Sequence, residues 1–125
     1  MCPRILIVDD ETHLRMLIQQ ALEELEDEGV ELLTASNGEE ALAMITEMRP
    51  TLVFLDVMMP KLSGFDVCRQ AKAALGDGVH IVLLTAKGQE VDRQKGQEVG
   101  ADLYMTKPFD PDALLGKARE ILQLT

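Results

Sequence analysis

Two rhythms of hydrophobic residues alternate along this chain. Compact apolar runs stand at Ile5-Leu6-Ile7-Val8, at Leu52-Val53-Phe54-Leu55 and, interrupted only by His80, at residues 79–84. Runs this short, apolar throughout and bounded by polar or turn residues predict strands buried on both faces. Between them the apolar positions recur every three or four residues. Leu14, Leu17, Ile18, Ala21, Leu22 and Leu25 make one helical stripe, with Thr12 as its expected cap and Gly29 as its stop. Leu42, Ile45 and Met48, beside Ala41, predict a helix over 39–49 that Pro50 ends. Phe65, Cys68 and Leu75 predict a third over 64–75.

The remaining elements are less apolar. A strand over 30–35 contains Glu31 and Thr34, and one over 102–106 is short and mixed. Residues 88–99 predict the weakest helix: Val91 and Val99 are its clear anchors, and Gly96 inside it costs about 1 kcal/mol relative to Ala. The last helix, over 110–124, opens on Asp110 as N-cap and Pro111 at its first position. Ser36-Asn37-Gly38 and Gly76-Asp77-Gly78 carry turn chemistry.

Five strands alternating with five helices predict a parallel sheet covered on both faces. The three most apolar strands take the central places and the two polar ones the edges. With right-handed crossovers the order is 2-1-3-4-5, a doubly wound α/β arrangement of the flavodoxin-like kind. No repeat, linker or low-complexity segment divides the chain, so residues 1–125 are expected to form one domain.

Charge narrows the partners. Twenty-two acidic against 12 basic residues give a net charge of -10, which disfavours direct nucleic-acid binding and suits a cation or a basic surface. Cys2 and Cys68 are too few for a disulfide framework, and Cys68 reads as a small buried apolar residue. The first apolar run stops at Asp9, without a signal-peptide core, and no run approaches a membrane span; a cytoplasmic location without membrane contact is expected.

Ligands of doubly wound sheets sit beyond the carboxyl ends of the strands, near the switch between strands 1 and 3. There the first strand delivers Asp9 and Asp10, the third Asp56, the fourth Thr85 and the fifth Lys107. Three converging carboxylates raise one another's pKa unless a cation offsets them. Oxygen ligands without His or Cys favour a hard ion, and Mg²⁺ keeping several waters fits. A carboxylate beside that ion, a hydroxyl and an ammonium suits phosphoryl transfer, with Asp56 as nucleophile. Taken singly, Asp9-Asp10 would pass for helix-terminal charge, Thr85 for a cap and Lys107 for a solvated lysine. Their convergence on one edge carries the inference.

The same marks, Val8-Asp9-Asp10-Glu11, Asp56-Val57-Met58-Met59-Pro60 with Gly64, Thr85-Ala86 and Lys107-Pro108-Phe109, resemble the receiver domain of two-component response regulators over essentially the whole chain. The resemblance implies that Asp56 accepts a phosphoryl group from a sensor histidine kinase or phosphotransfer protein. It implies that Asp9, Asp10, Asp56 and the Met58 backbone carbonyl hold Mg²⁺, and that Thr85 and Lys107 hold the phosphoryl oxygens. Thr85 and Tyr104 would form the switch, and the Lys107–Pro108 bond would be cis. The output would be a changed face of the fourth helix, fifth strand and fifth helix, acting on an effector domain or downstream protein. The weakly anchored 88–99 segment suits a moving part. Such a domain is not an enzyme in the usual sense: it catalyses only its own phosphoryl transfer and a slow autodephosphorylation.

Departures from the family pattern add detail. Met58 and Lys87 offer no amide or carboxylate to orient a hydrolytic water, so the phosphoryl group is expected to be long-lived. Leu103, Ala113 and Leu124 stand where charged residues of a phosphorylation-dependent dimer would be expected, so a dimer here would lack those pairs. A Mg²⁺-dependent aspartyl-nucleophile phosphatase of the haloacid-dehalogenase kind would want a second acid at Met58. A flavin carrier would not present Asp9-Asp10-Glu11 to a phosphate. His13 and His80 read as bystanders, and Met44, Met48, Met58 and Met59 as packing residues.

Overall fold

The computed structural model describes residues 3–59, 62–86, 94, 95, 97–107 and 110–124, with the backbone alone at 86 and 107. Strands β1 (Arg4–Val8), β2 (Glu31–Ala35), β3 (Leu52–Asp56), β4 (His80–Ala86) and β5 (Leu103–Lys107) form one sheet in the order β2-β1-β3-β4-β5. Every neighbouring pair is parallel. The polar strands do take the edges, as burial predicts: Glu31 opens β2 exposed, whereas β3 is buried at every position.

Helices α1 (Thr12–Leu22), α2 (Gly38–Met48), α3 (Gly64–Leu75) and α4 (Pro111–Ile121) flank the sheet. Four complete α-helices stand among the described residues, where the periodicity predicts five. The expected helix over 88–99 falls mostly outside those residues; 94, 95, 97 and 98 are helical.

The sheet divides the core into two layers. Leu6, Val8, Val53, Leu55, Ile81 and Leu83 pack with α2 and α3. Their strand neighbours Ile5, Ile7, Leu52, Phe54, Val82 and Leu84 pack with α1 and α4. Successive side chains of a strand point to opposite faces, so a continuous apolar run fills both layers at once.

Local chemistry explains two departures. Thr12 is the first residue of α1 and not its cap; Glu11 occupies the cap position without a side-chain bond, while Thr12 Oγ1 accepts from Arg15 at 3.2 Å. The α-helical part of the first stripe ends at Leu22, and Glu23–Glu28 continues as a tighter 3-10 turn that still buries Leu25. Five acids in that turn oppose the helix dipole at its carboxyl end. Arg119 of α4 bridges two of them, Glu24 and Glu28, and Gly29 closes the turn at φ 90°. Elsewhere side chains cap the helices, at Asp110 as expected and at Asn37 and Ser63 besides. Asn37 accepts from Glu40 N–H, Ser63 from Asp66 N–H and Asp110 from Asp112 N–H.

Candidate functional site

Asp9 follows the last residue of β1 and is wholly buried. Its N–H donates to the Ala35 carbonyl at 3.3 Å, and its Oδ1 accepts from Glu11 N–H at 2.9 Å. Asp10 beside it is exposed. Asp56 ends β3 and is 5% exposed. One carboxylate oxygen each from Asp9, Asp10 and Asp56 lies within 4.8 Å of the others. The three border a cleft of about 300 Å³ together with Glu11, Leu14, Val57, Met58 and Leu84. A larger hollow of about 630 Å³, between Arg4, Arg49 and Gln123, lies at the amino ends of β1 and β3, away from every residue with site chemistry. The smaller cleft is the one that gathers the three carboxylates.

Register sets the fourth member. Asp56 pairs with Leu84, and Val57 N–H donates to the Leu84 carbonyl at 3.2 Å, so Thr85 follows immediately along the same edge. Thr85 is inside β4, 6% exposed, rather than beyond the strand's end. It pairs across with Thr106. The backbone of Lys107 closes β5 opposite Ala86. Its side chain, Lys87 and the Lys107–Pro108 bond lie outside the described residues. Tyr104 pairs with Leu83 and is half-buried against the α2–α3 layer. Met58 borders the cleft but is 75% exposed, so it is not the packing residue its composition suggests.

Two glycines seat the backbone that leaves Asp56. A Cβ on Gly64 would stand 2.3 Å from the Asp56 carbonyl oxygen, and Gly64 N–H donates to the Val57 carbonyl at 2.9 Å. A Cβ on Gly38, at the start of α2, would stand 2.1 Å from the Leu62 carbonyl oxygen. Its spelling within Ser36-Asn37-Gly38 suggests only a turn; the requirement is one of space.

Arg15 was also illegible as a site residue. Its Nη1 donates to the Asp9 carbonyl at 2.6 Å. The available signal was a cation early in a helix, where the dipole disfavours it. Further from the cleft, burial pushes the Cys68 thiol up to about 11. Its Sγ faces the Val99 carbonyl at 3.6 Å, which fits the small buried role expected of it.

A wholly buried carboxylate, a nearly buried one and an exposed one, all oxygen donors with no His or Cys in the group, match a hard divalent cation. Fold and cleft together define a doubly wound α/β domain with an acidic centre at its switch point. The chain belongs to the response regulator receiver domain family, whose model matches residues 5–119. It is 45% identical over 120 residues to the probable transcriptional regulator ycf27 of Porphyra purpurea, covering 96% of this chain and 47% of that one. The alkaline phosphatase synthesis transcriptional regulatory protein PhoP of Bacillus subtilis is 44% identical over 120 residues, 96% of this chain and 48% of PhoP. The crystal structure of response regulator DrrB, a Thermotoga maritima OmpR/PhoB homolog, superposes with a TM-score of 0.86 at 34% identity, over 98% of this chain and 54% of DrrB.

The chain thus spans about half the length of the curated relatives it matches. Receiver domains are phosphorylation-dependent signalling switches that work with histidine kinases and effector domains, and the phosphatase alternative finds no support in these matches. Among the described residues no helix is long and apolar enough to cross a membrane.

Proposed function

We propose that residues 1–125 act as one receiver domain in which Asp56 is the phosphoacceptor. The observation that carries this is the meeting of Asp9, Asp10 and Asp56 within 4.8 Å at the ends of β1 and β3. An Asp56 carboxylate oxygen attacks the phosphorus of a phosphohistidine on a sensor kinase or phosphotransfer protein. The phosphorus–nitrogen bond breaks, its electron pair returns to the imidazole, and an aspartyl phosphate forms. Asp9, Asp10, Asp56 and the Met58 carbonyl would hold Mg²⁺, which supplies charge that offsets the phosphoryl oxygens. Lys107 offers a second cation for them.

Burial of Asp9 and Asp56 limits the water around the nucleophile, and Thr85, 6% exposed, would donate its hydroxyl to a phosphoryl oxygen. Movement of Thr85 toward that oxygen frees space for Tyr104 and changes the surface formed by 88–99, β5 and α4. That surface acts on an effector domain or downstream protein in the cytoplasm; the domain itself turns over only its own phosphoryl group.

The test is incubation with acetyl phosphate and Mg²⁺ followed by intact-mass measurement. Wild type should gain one phosphoryl mass and Asp56→Asn none. Equal adducts on both proteins would sink the assignment.

A further inference from the structure

The peptide unit joining Asp9 to Asp10 lies past the end of β1 and links two of the three clustered carboxylates. Arg15 reaches back to that unit from α1. Its Nη1 donates to the Asp9 carbonyl oxygen at 2.6 Å and its Nη2 to Thr12 Oγ1 at 3.2 Å. Two features set this contact apart. A cation near the amino end of a helix opposes the macrodipole. The guanidinium, half-buried, also bonds a carbonyl and a hydroxyl although Asp10 and Glu11 offer carboxylates in the same stretch. A guanidinium presents its donors in a rigid fork, so gripping two acceptors fixes a plane as well as a distance. From the other side, Glu11 N–H fixes the Asp9 carboxylate at 2.9 Å.

We infer that Arg15 is a positioning residue of the cation site, holding the Asp9–Asp10 peptide so that both carboxylates face Asp56. This rests on the proposal that these three residues bind a divalent cation. The two roles Arg15 could play there have opposite signs. As a bare positive charge beside the site it repels a cation, so removing it would tighten binding. As the residue that orients the ligands, removing it loosens binding.

The experiment is calorimetric titration of MgCl₂ into the full chain, as wild type, Arg15→Met, Arg15→Lys and Asp56→Asn, with melting temperatures recorded without metal. Arg15→Met keeps the length of the apolar stem and loses charge and donors. It should bind Mg²⁺ about tenfold more weakly, the scale typical of a lost partner behind a metal ligand. Arg15→Lys keeps the charge without the fork and should fall between. Affinity equal to or tighter than wild type in Arg15→Met overturns the inference. If that variant does not fold, Arg15→Lys decides alone: weaker binding supports positioning, and unchanged binding overturns it. Wild type that fails to bind Mg²⁺ defeats the cation-site proposal itself, and Asp56→Asn, expected to bind poorly, calibrates that outcome.

Discussion

Lys72 Nζ stands 2.6 Å from Asp102 Oδ2 and donates to the Val79 carbonyl at the same distance. That carboxylate oxygen also accepts from Ile81 N–H at 2.8 Å. One ammonium and one carboxylate thereby fasten α3 to the start of β4 and to the residue before β5. Burial works against the charged carboxylate, but the bonds from Lys72 and Ile81 outweigh it and hold the Asp102 carboxyl below its ordinary value.

Replacing Lys72 by Met should therefore destabilise the fold by about 1–2 kcal/mol at neutral pH, discounted for the pair's partial exposure. The depressed folded pKa gives the sign. The stabilisation is present above the unfolded value and is lost as pH falls through the folded one. Urea titrations of wild type and variant should converge in acid. A gap that persists unchanged once the folded carboxyl is protonated would locate the effect elsewhere.

Gly38→Ala should displace the segment around Leu62, because its new Cβ meets backbone and not a side-chain end. Overpacking of this kind costs about 1–3 kcal/mol. Since Leu62 lies between Asp56 and the start of α3, phosphorylation by acetyl phosphate should slow more than the change in melting temperature accounts for. Wild-type phosphorylation kinetics in a destabilised variant would show that the contact serves stability alone.

Met58 points into solvent at the rim of the cleft and carries no group to orient an attacking water. Phosphorylated protein freed of donor should decay slowly, and Met58→Asn should decay faster. Loss of the wild-type phosphoryl group within seconds, followed by intact mass, would contradict this.

Cys68, with its thiol pushed up to about 11 and its side chain fully covered, should resist iodoacetamide at mildly alkaline pH. In a Cys2→Ser background, alkylation should appear only when urea unfolds the chain. Rapid labelling of native protein would mean that the α3 layer opens readily.

What the residues reveal in advance follows their physics. Strand order was readable because burial on two faces leaves a continuous apolar run, as at Leu52 to Leu55, while an edge tolerates Glu31. The acidic centre was readable because Asp9, with Asp10 next to it, directly follows one such run and Asp56 ends another. Thr12 misled, since a hydroxyl near a helix start does not say whether the chain enters one residue earlier. The end of α1 was obscured because Leu25 stays buried in either helical form. Gly38 and the Lys72–Asp102 pair were beyond reach, for each depends on a contact between segments distant in sequence, and Arg15 left only the weak mark of a cation early in a helix.

The sheet that splits the core in two is also a partition. Along β5, Tyr104 lies in one layer while Leu103 and Met105 lie in the other, so side chains on the two sides communicate only through the backbone between them. Substitutions drawn from opposite layers should add in their effect on stability. A designer could thicken the insulation on the α1–α4 side without retuning the compartment that houses the tyrosine.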